Sequence, residues 1–213
     1  MKIKYLILVV FVIFSLFLNA QELSDKHFYY YKGEKIYLPI DYTRISVTLE
    51  DNFFTEDIRA AINVSDFSVK NEAISYTRLN VVPFDESPKS GRNKKIITAE
   101  LEFSGSMDQT AYLDIIQRLS KANNVIKVAP AYKDLGISNN FYVKLFKPED
   151  VHSLFALAKK YSMEVLGYNE FMPLWVTLSC GRETPFGATE AANLFYETGL
   201  FECTEPELLL YHL

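Results

Sequence analysis

Apolar and polar residues alternate at Ile45-Ser46-Val47-Thr48-Leu49, and apolar residues take every second place at Ile97, Ala99, Leu101 and Phe103, at Phe141, Val143 and Leu145, and at Leu174, Val176 and Leu178. A period of two predicts strands that bury one face. Helical spacing intervenes: Tyr112, Ile115, Ile116 and Leu119 share a face within 108–121, and Val151, Leu154, Phe155 and Ala158 follow Pro148 at i, i+3, i+4, i+7. A short helix is expected over 55–62 behind Thr55 as cap, and another over 188–198, stopped by Gly199. Val125–Val128 ending at Pro130, Met163–Tyr168 and Leu200–Thr204 read as further strands, with weaker strand signals between Phe67 and Val82. The polar stretch from Pro83 to Lys95 reads as a loop. Before all of these, His27–Asp41 reads as a hairpin turning at Lys32-Gly33-Glu34.

The order strand, helix, strand, strand, helix, strand therefore occurs twice. Both runs close on a helix, a polar or glycine break, a strand and a proline, at Pro130 and Pro206. Those prolines stand 76 positions apart and the opening strands, at Ile45 and Phe141, 96, so the first run is longer by about the charged loop. The expectation is an α+β fold of tandem ferredoxin-like (βαββαβ) units with antiparallel sheets. The divisions are 1–20, a signal peptide; 21–42, the hairpin; 43–133, the first unit; and 134–213, the second unit with a short tail.

Composition changes the picture at the N-terminus. Lys2 and Lys4 precede an apolar run from Tyr5 to Leu18, followed by Leu18-Asn19-Ala20. This predicts a secretory signal cut between Ala20 and Gln21, a run too short to span a bilayer, and a secreted or periplasmic chain with no stable membrane anchor after cleavage. Gln21, where lipidation needs cysteine, argues against a lipoprotein. The formal charge is −5; without Lys2 and Lys4, 20 basic residues face 27 acidic ones, a net of −7 that argues against nucleic acid as a partner. The two cysteines, Cys180 and Cys203, fall on strands expected not to be neighbours, which predicts two free thiols.

Candidate chemistry is sparse. His27, His152 and His212 fall in the hairpin, on an exposed helix face and at the C-terminus. The carboxylate pairs Glu149/Asp150 and Glu205/Glu207 sit where a helix start or strand end places solvated charge. No phosphate-cradling loop, zinc-binding spacing or nucleophile elbow occurs, so no cofactor, metal or catalytic residue is expected. Arg182, beside Glu183 in a loop, is a weak candidate for an anion. Tyr29, Tyr30 and Tyr31 fit either cross-strand pairing on the hairpin or a binding platform. Helices on one face of each sheet leave the other open, and in the second unit strict alternation places Tyr142, Trp175 and Phe201 there. Burial against the first unit and contact with another molecule both fit such a face.

Three segments carry a resemblance: His27-Phe28-Tyr29-Tyr30-Tyr31-Lys32-Gly33-Glu34-Lys35-Ile36, Phe171-Met172-Pro173-Leu174-Trp175-Val176-Thr177-Leu178-Ser179-Cys180 and Ala192-Asn193-Leu194-Phe195-Tyr196-Glu197-Thr198-Gly199-Leu200-Phe201. They resemble the N-terminal propeptide region of exported bacterial subtilisin-like serine peptidases. In that family the propeptide is a split βαβ domain whose sheet packs on the protease, while the strand leaving it lies in the active site like a substrate. The resemblance implies a foldase and inhibitor role. The family's catalytic Asp, His-Gly-Thr-His and Gly-Thr-Ser-Met do not occur in this chain.

The expected function is that of an exported, non-catalytic, propeptide-like protein that binds a subtilisin-like serine protease, ancestrally in cis and here in trans. Glu207, Leu208, Leu209, Leu210 and Tyr211 would lie in the substrate cleft, with the aromatic sheet face beside it. The same apolar tail equally fits completion of the last strand. A truncated front end of a peptidase precursor and an extracytoplasmic binding module unrelated to proteolysis are the alternatives.

Overall fold

The computed structural model describes residues 27–50, 58, 67–74, 81–84, 96–133 and 135–210. The signal segment with Ala20 and Gln21, Tyr211, and all of the 55–62 helix except Ile58 lie outside the described residues. Ile58 itself is helical and buried. The hairpin pairs β1 (Phe28–Tyr31) with β2 (Glu34–Tyr37) through Lys32 and Gly33, whose φ of 50° and 86° match the twist that a two-residue turn needs.

The remaining strands are β3 (Ile40–Glu50), β4 (Phe67–Ile74), β5 (Val81–Val82), β6 (Ile96–Phe103), β7 (Val125–Tyr132), β8 (Leu135–Lys144), β9 (Met163–Asn169), β10 (Trp175–Cys180) and β11 (Cys203–Leu210). Besides Ile58, the α-helices among the described residues are α1 (Gln109–Leu119), α2 (Val151–Lys160) and α3 (Ala188–Glu197). Asp108 caps α1 by accepting the Ala111 N–H at 2.9 Å, and the Glu190 carboxylate in the first turn of α3 accepts the Gly187 N–H at 2.9 Å. The fold is α+β, with antiparallel pairing throughout the described strands.

Nine strands join in the order β4-β6-β3-β7-β8-β10-β9-β5, with β11 on β8. Among β3, β4, β6 and β7, the first and third are central, flanked by the fourth and the second. Among β8, β9, β10 and β11 the order is the same. One row of cross-strand partners runs Val69, Leu101, Ile45, Pro130; the corresponding row runs Val165, Leu178, Phe141, Pro206. Both prolines therefore lie inside strands, and β7 continues two residues past Pro130. Proline lacks a ladder donor and is tolerated where one side of a strand is unpaired. Pro206 is on outermost β11, and β7 meets β8 only at Tyr132 and Leu135 among the described residues.

The alternating residues face two cores. Ile45, Val47 and Leu49, with Ala99, Leu101 and Phe103, pack under Tyr112, Ile115 and Leu119 of α1. Phe141, Val143 and Leu145, with Val176, Leu178 and Cys180, pack under Leu154 and Ala158 of α2 and Ala191, Ala192 and Phe195 of α3. The hairpin docks on α3: Tyr30 stacks on Tyr196 with ring centroids 4.2 Å apart, its hydroxyl reaches Glu197, and Asn193 Nδ2 donates to the Phe28 carbonyl. Tyr29 packs against the second core. Two of the three hairpin tyrosines are thus used within the chain, and Tyr31 is exposed.

Candidate partner-binding surface

The polar faces of the sheets are not open platforms. Ser46, Thr48, Thr98 and Glu100 in the first half, and Ser138, Asn140, Thr177 and Ser179 in the second, are buried. The Ser46 hydroxyl donates to the Ile137 carbonyl at 2.9 Å, across the halves. Lys127 donates to the Thr184 carbonyl at 2.6 Å, and burial pushes its amine below the usual lysine range. Arg182 donates to the carbonyls of Ala122 and Val125 at 3.1 and 2.7 Å, and to that of Asn123. Its guanidinium therefore clamps the connection between α1 and β7. Burial between halves accounts for much of the face that alternation left open.

Of the three aromatics assigned to that face, two are on it. Tyr142 and Trp175 are half-buried there. Phe201 is a correction: it is buried, and its ring stacks on Phe195 at 5.6 Å in the second core. The last strand begins at Cys203 rather than Leu200, so Phe201 lies in the bend before it, where the chain drops toward α3. The start of that strand also fixes its faces. Thr204 donates to the Ala192 carbonyl on the helix side, while Glu207 points to the opposite side.

Glu207 to Leu210 complete the last strand, one of the two expectations for the apolar tail. They belong to β11, with Leu208, Leu209 and Leu210 opposite Ile137, Gly136 and Leu135. The Glu207 carboxylate accepts from Tyr142 Oη at 2.7 Å, from Asn140 Nδ2 at 3.0 Å and from the Ser138 hydroxyl. It sits where the β11 pairing skips along Ser138-Asn139-Asn140, and this irregularity turns Ser138 and Asn140 toward it. Burial, with Glu207 beside it, raises the Tyr142 hydroxyl far above the usual tyrosine range. Trp175 is opposite Lys144 and Leu210 opposite Leu135, at the two ends of β8 and ~30 Å apart at strand spacing. A cleft holding the tail would therefore not also seat Trp175.

One exposed apolar patch lies at the Trp175 end; Tyr31, Ile36 and Tyr37 form another on the hairpin. Phe171 and Met172, in the turn between β9 and β10, are 75% and 52% exposed, and Phe146, just after β8, is 57% exposed. Asn169 holds the turn: its side-chain oxygen accepts the N–H groups of Phe171 and Met172 at 2.9 and 3.1 Å. The Leu145 N–H donates to the Leu174 carbonyl and the Glu202 N–H to that of Lys144, which brings the β8 end, this turn and the exposed Leu200 link to one end of the sheet. Lys144 and Glu202 pair beside it at 2.5 Å. Apolar residues in a turn are the signal that locates this patch in the sequence, where alternation drew attention to the strands instead.

Cys180 is buried and Cys203 half-buried, both free, on strands separated by β8. Burial pushes their thiols up to about 12 and about 11. Among the described residues no cluster of three or more His, Cys, Asp or Glu could hold a metal ion, and no helix is long and apolar enough to cross a membrane. No family model and no curated protein matches the chain. A solved structure, the acetolactate synthase small subunit from Thermotoga maritima, is similar over 80% of this chain and 97% of its own, at 10% identity and a TM-score of 0.26.

Proposed function

We propose that the chain is an exported, non-catalytic protein of the propeptide type, built of two ferredoxin-like units and a hairpin, that binds a subtilisin-like serine protease in trans. The matched strand orders and the two corresponding rows of partners support the tandem reading. They also suit the divisions at 43–133 and 134–213. The observation that carries the binding reading is the pair Phe171 and Met172, held out of the core by Asn169. Large apolar side chains on a rigid turn are the anchors that protein interfaces use.

The second and third resembling segments both lie in the half that carries this turn. Phe171–Cys180 forms the exposed turn and β10, and Ala192–Phe201 forms the end of α3 and its link to β11. Ala192–Phe201 packs on Phe171–Cys180 through Phe195, Val176 and Leu178. The partner surface is therefore the β9–β10 turn with Phe146 and Trp175, rather than Glu207–Leu210. The test is the rate of peptide cleavage by subtilisin-like proteases of the same genome, with the chain lacking residues 1–20 added. Slowing at micromolar protein is expected; unchanged cleavage by every such protease overturns the proposal.

A further inference from the structure

The connection between β4 and β6 crosses from the first half to the second. Val81 and Val82 pair as β5 with Asn169 and Tyr168 on the outer edge of β9. Two residues on, Phe84 enters the crevice between Phe155 of α2 and Tyr168, with centroids 5.4 and 5.3 Å away. The β9 edge is shaped for this approach. Gly167 has φ +147°, and a Cβ there would meet the Val82 carbonyl oxygen, with the Val82 carbonyl carbon at 2.7 Å and Val81 Cγ1 at 2.8 Å. A register shift in the β9–β10 pairing, between Thr177 and Leu178, falls beside this glycine. Short strand pairing plus one aromatic anchor is how a sheet edge captures a linear peptide.

We propose that the outer edge of β9 and the Phe155–Tyr168 crevice bind an extended peptide of a partner protein, one with an aromatic residue two positions after a pair of β-branched residues, and that Val81–Phe84 is the tethered internal ligand of this site. The seated segment defines the chemistry: β-branched residues suit an extended backbone, proline at 83 prevents return to helix, and the phenyl ring fills the crevice. The proposal does not rest on the protease reading, because peptide binding is measured with no protease present. A tether supplies its own ligand at about millimolar effective concentration, so a free peptide competes poorly until the internal anchor is removed.

The test uses the full chain and a fluorescein-labelled peptide of sequence Leu79-Asn80-Val81-Val82-Pro83-Phe84-Asp85-Glu86, read by fluorescence polarisation. The Phe84→Ala chain should bind it at least about tenfold more tightly than the unaltered chain. Adding Gly167→Ala to Phe84→Ala should remove that binding, and a peptide with alanine in place of the phenylalanine should not bind. Equal binding by the unaltered and Phe84→Ala chains, or binding that survives Gly167→Ala, overturns the proposal. Should Phe84→Ala fail to fold, the unaltered chain is titrated with peptide to about millimolar concentration and read by amide chemical shifts. Shifts centred on 81–84, Phe155 and 167–169 support the site, and their absence overturns it.

Discussion

The two halves solve one problem with very different lengths of chain. Between β9 and β10 the second half turns in five residues, 170–174; between β4 and β6 the first half takes 21, 75–95. The short connection presents Phe171 and Met172 outward, while the long one sends Val81–Phe84 onto its neighbour's sheet. Among the described residues the two halves share one strand order and place a proline opposite the first strand of each. Where they agree, the residues build cores and ladders. Where they differ, one connection leaves apolar side chains exposed and the other pairs with a strand of the opposite half.

The largest expected effect tests whether the halves are energetically one body. Phe195 packs edge-on to Phe141 at 5.2 Å and stacks on Phe201, so Phe195→Ala should cost about 3–5 kcal/mol in denaturant unfolding. With the halves clamped through Arg182, Lys127 and Ser46, fluorescence and circular dichroism should report a single coincident transition. Next, Arg182→Ala removes a guanidinium from three backbone carbonyls and should cost about 1–3 kcal/mol. It should also begin to separate the transitions of the two halves. Persistence of one sharp transition in that variant would mean that other contacts join them.

Glycines give a comparison of similar size. Gly167→Ala meets both a left-handed φ and the β5 backbone, and should lower stability by about 1–3 kcal/mol. Gly105→Ala, with nothing within 4 Å of the added carbon, should leave it nearly unchanged. Thiol chemistry separates the strands more gently. At about pH 8 both thiols should alkylate slowly, half-exposed Cys203 first and buried Cys180 only on unfolding. Because folding raises Cys180 from 9.0 to about 12, the folded state keeps a proton that the unfolded chain releases. Its contribution to stability is fully present below pH 9 and declines as pH rises toward 12.

Much of this architecture was legible in the sequence because burial on one face leaves a period of two or 3.6. Ile45, Val47 and Leu49, and Phe141 and Val143, announced the first strand of each half. What escaped was set by tertiary contact. Two residues at Val81–Val82 are too few to show a period, and their partner is more than 80 positions away. Leu200 and Phe201 are apolar after a glycine and read as a strand, yet Phe201 instead fills the gap beside Phe195. The polar sheet faces left burial between halves as one of two readings, since threonine, serine and asparagine there suit either a contact or solvent. Phe171 and Met172 fall in a turn too short to show a period that would mark them as exposed.

The most direct measurement sets the unaltered chain beside a Phe171→Asp, Met172→Asp double variant in the same protease titration, with thermal melts of both. The two side chains are 75% and 52% exposed, so the melting temperatures should agree. The unaltered chain should slow a subtilisin-like protease at micromolar concentration, and the variant should need at least about tenfold more. Equal inhibition by the two would contradict the assignment of the partner surface to this turn, and inhibition by neither would contradict the binding of a subtilisin-like protease altogether.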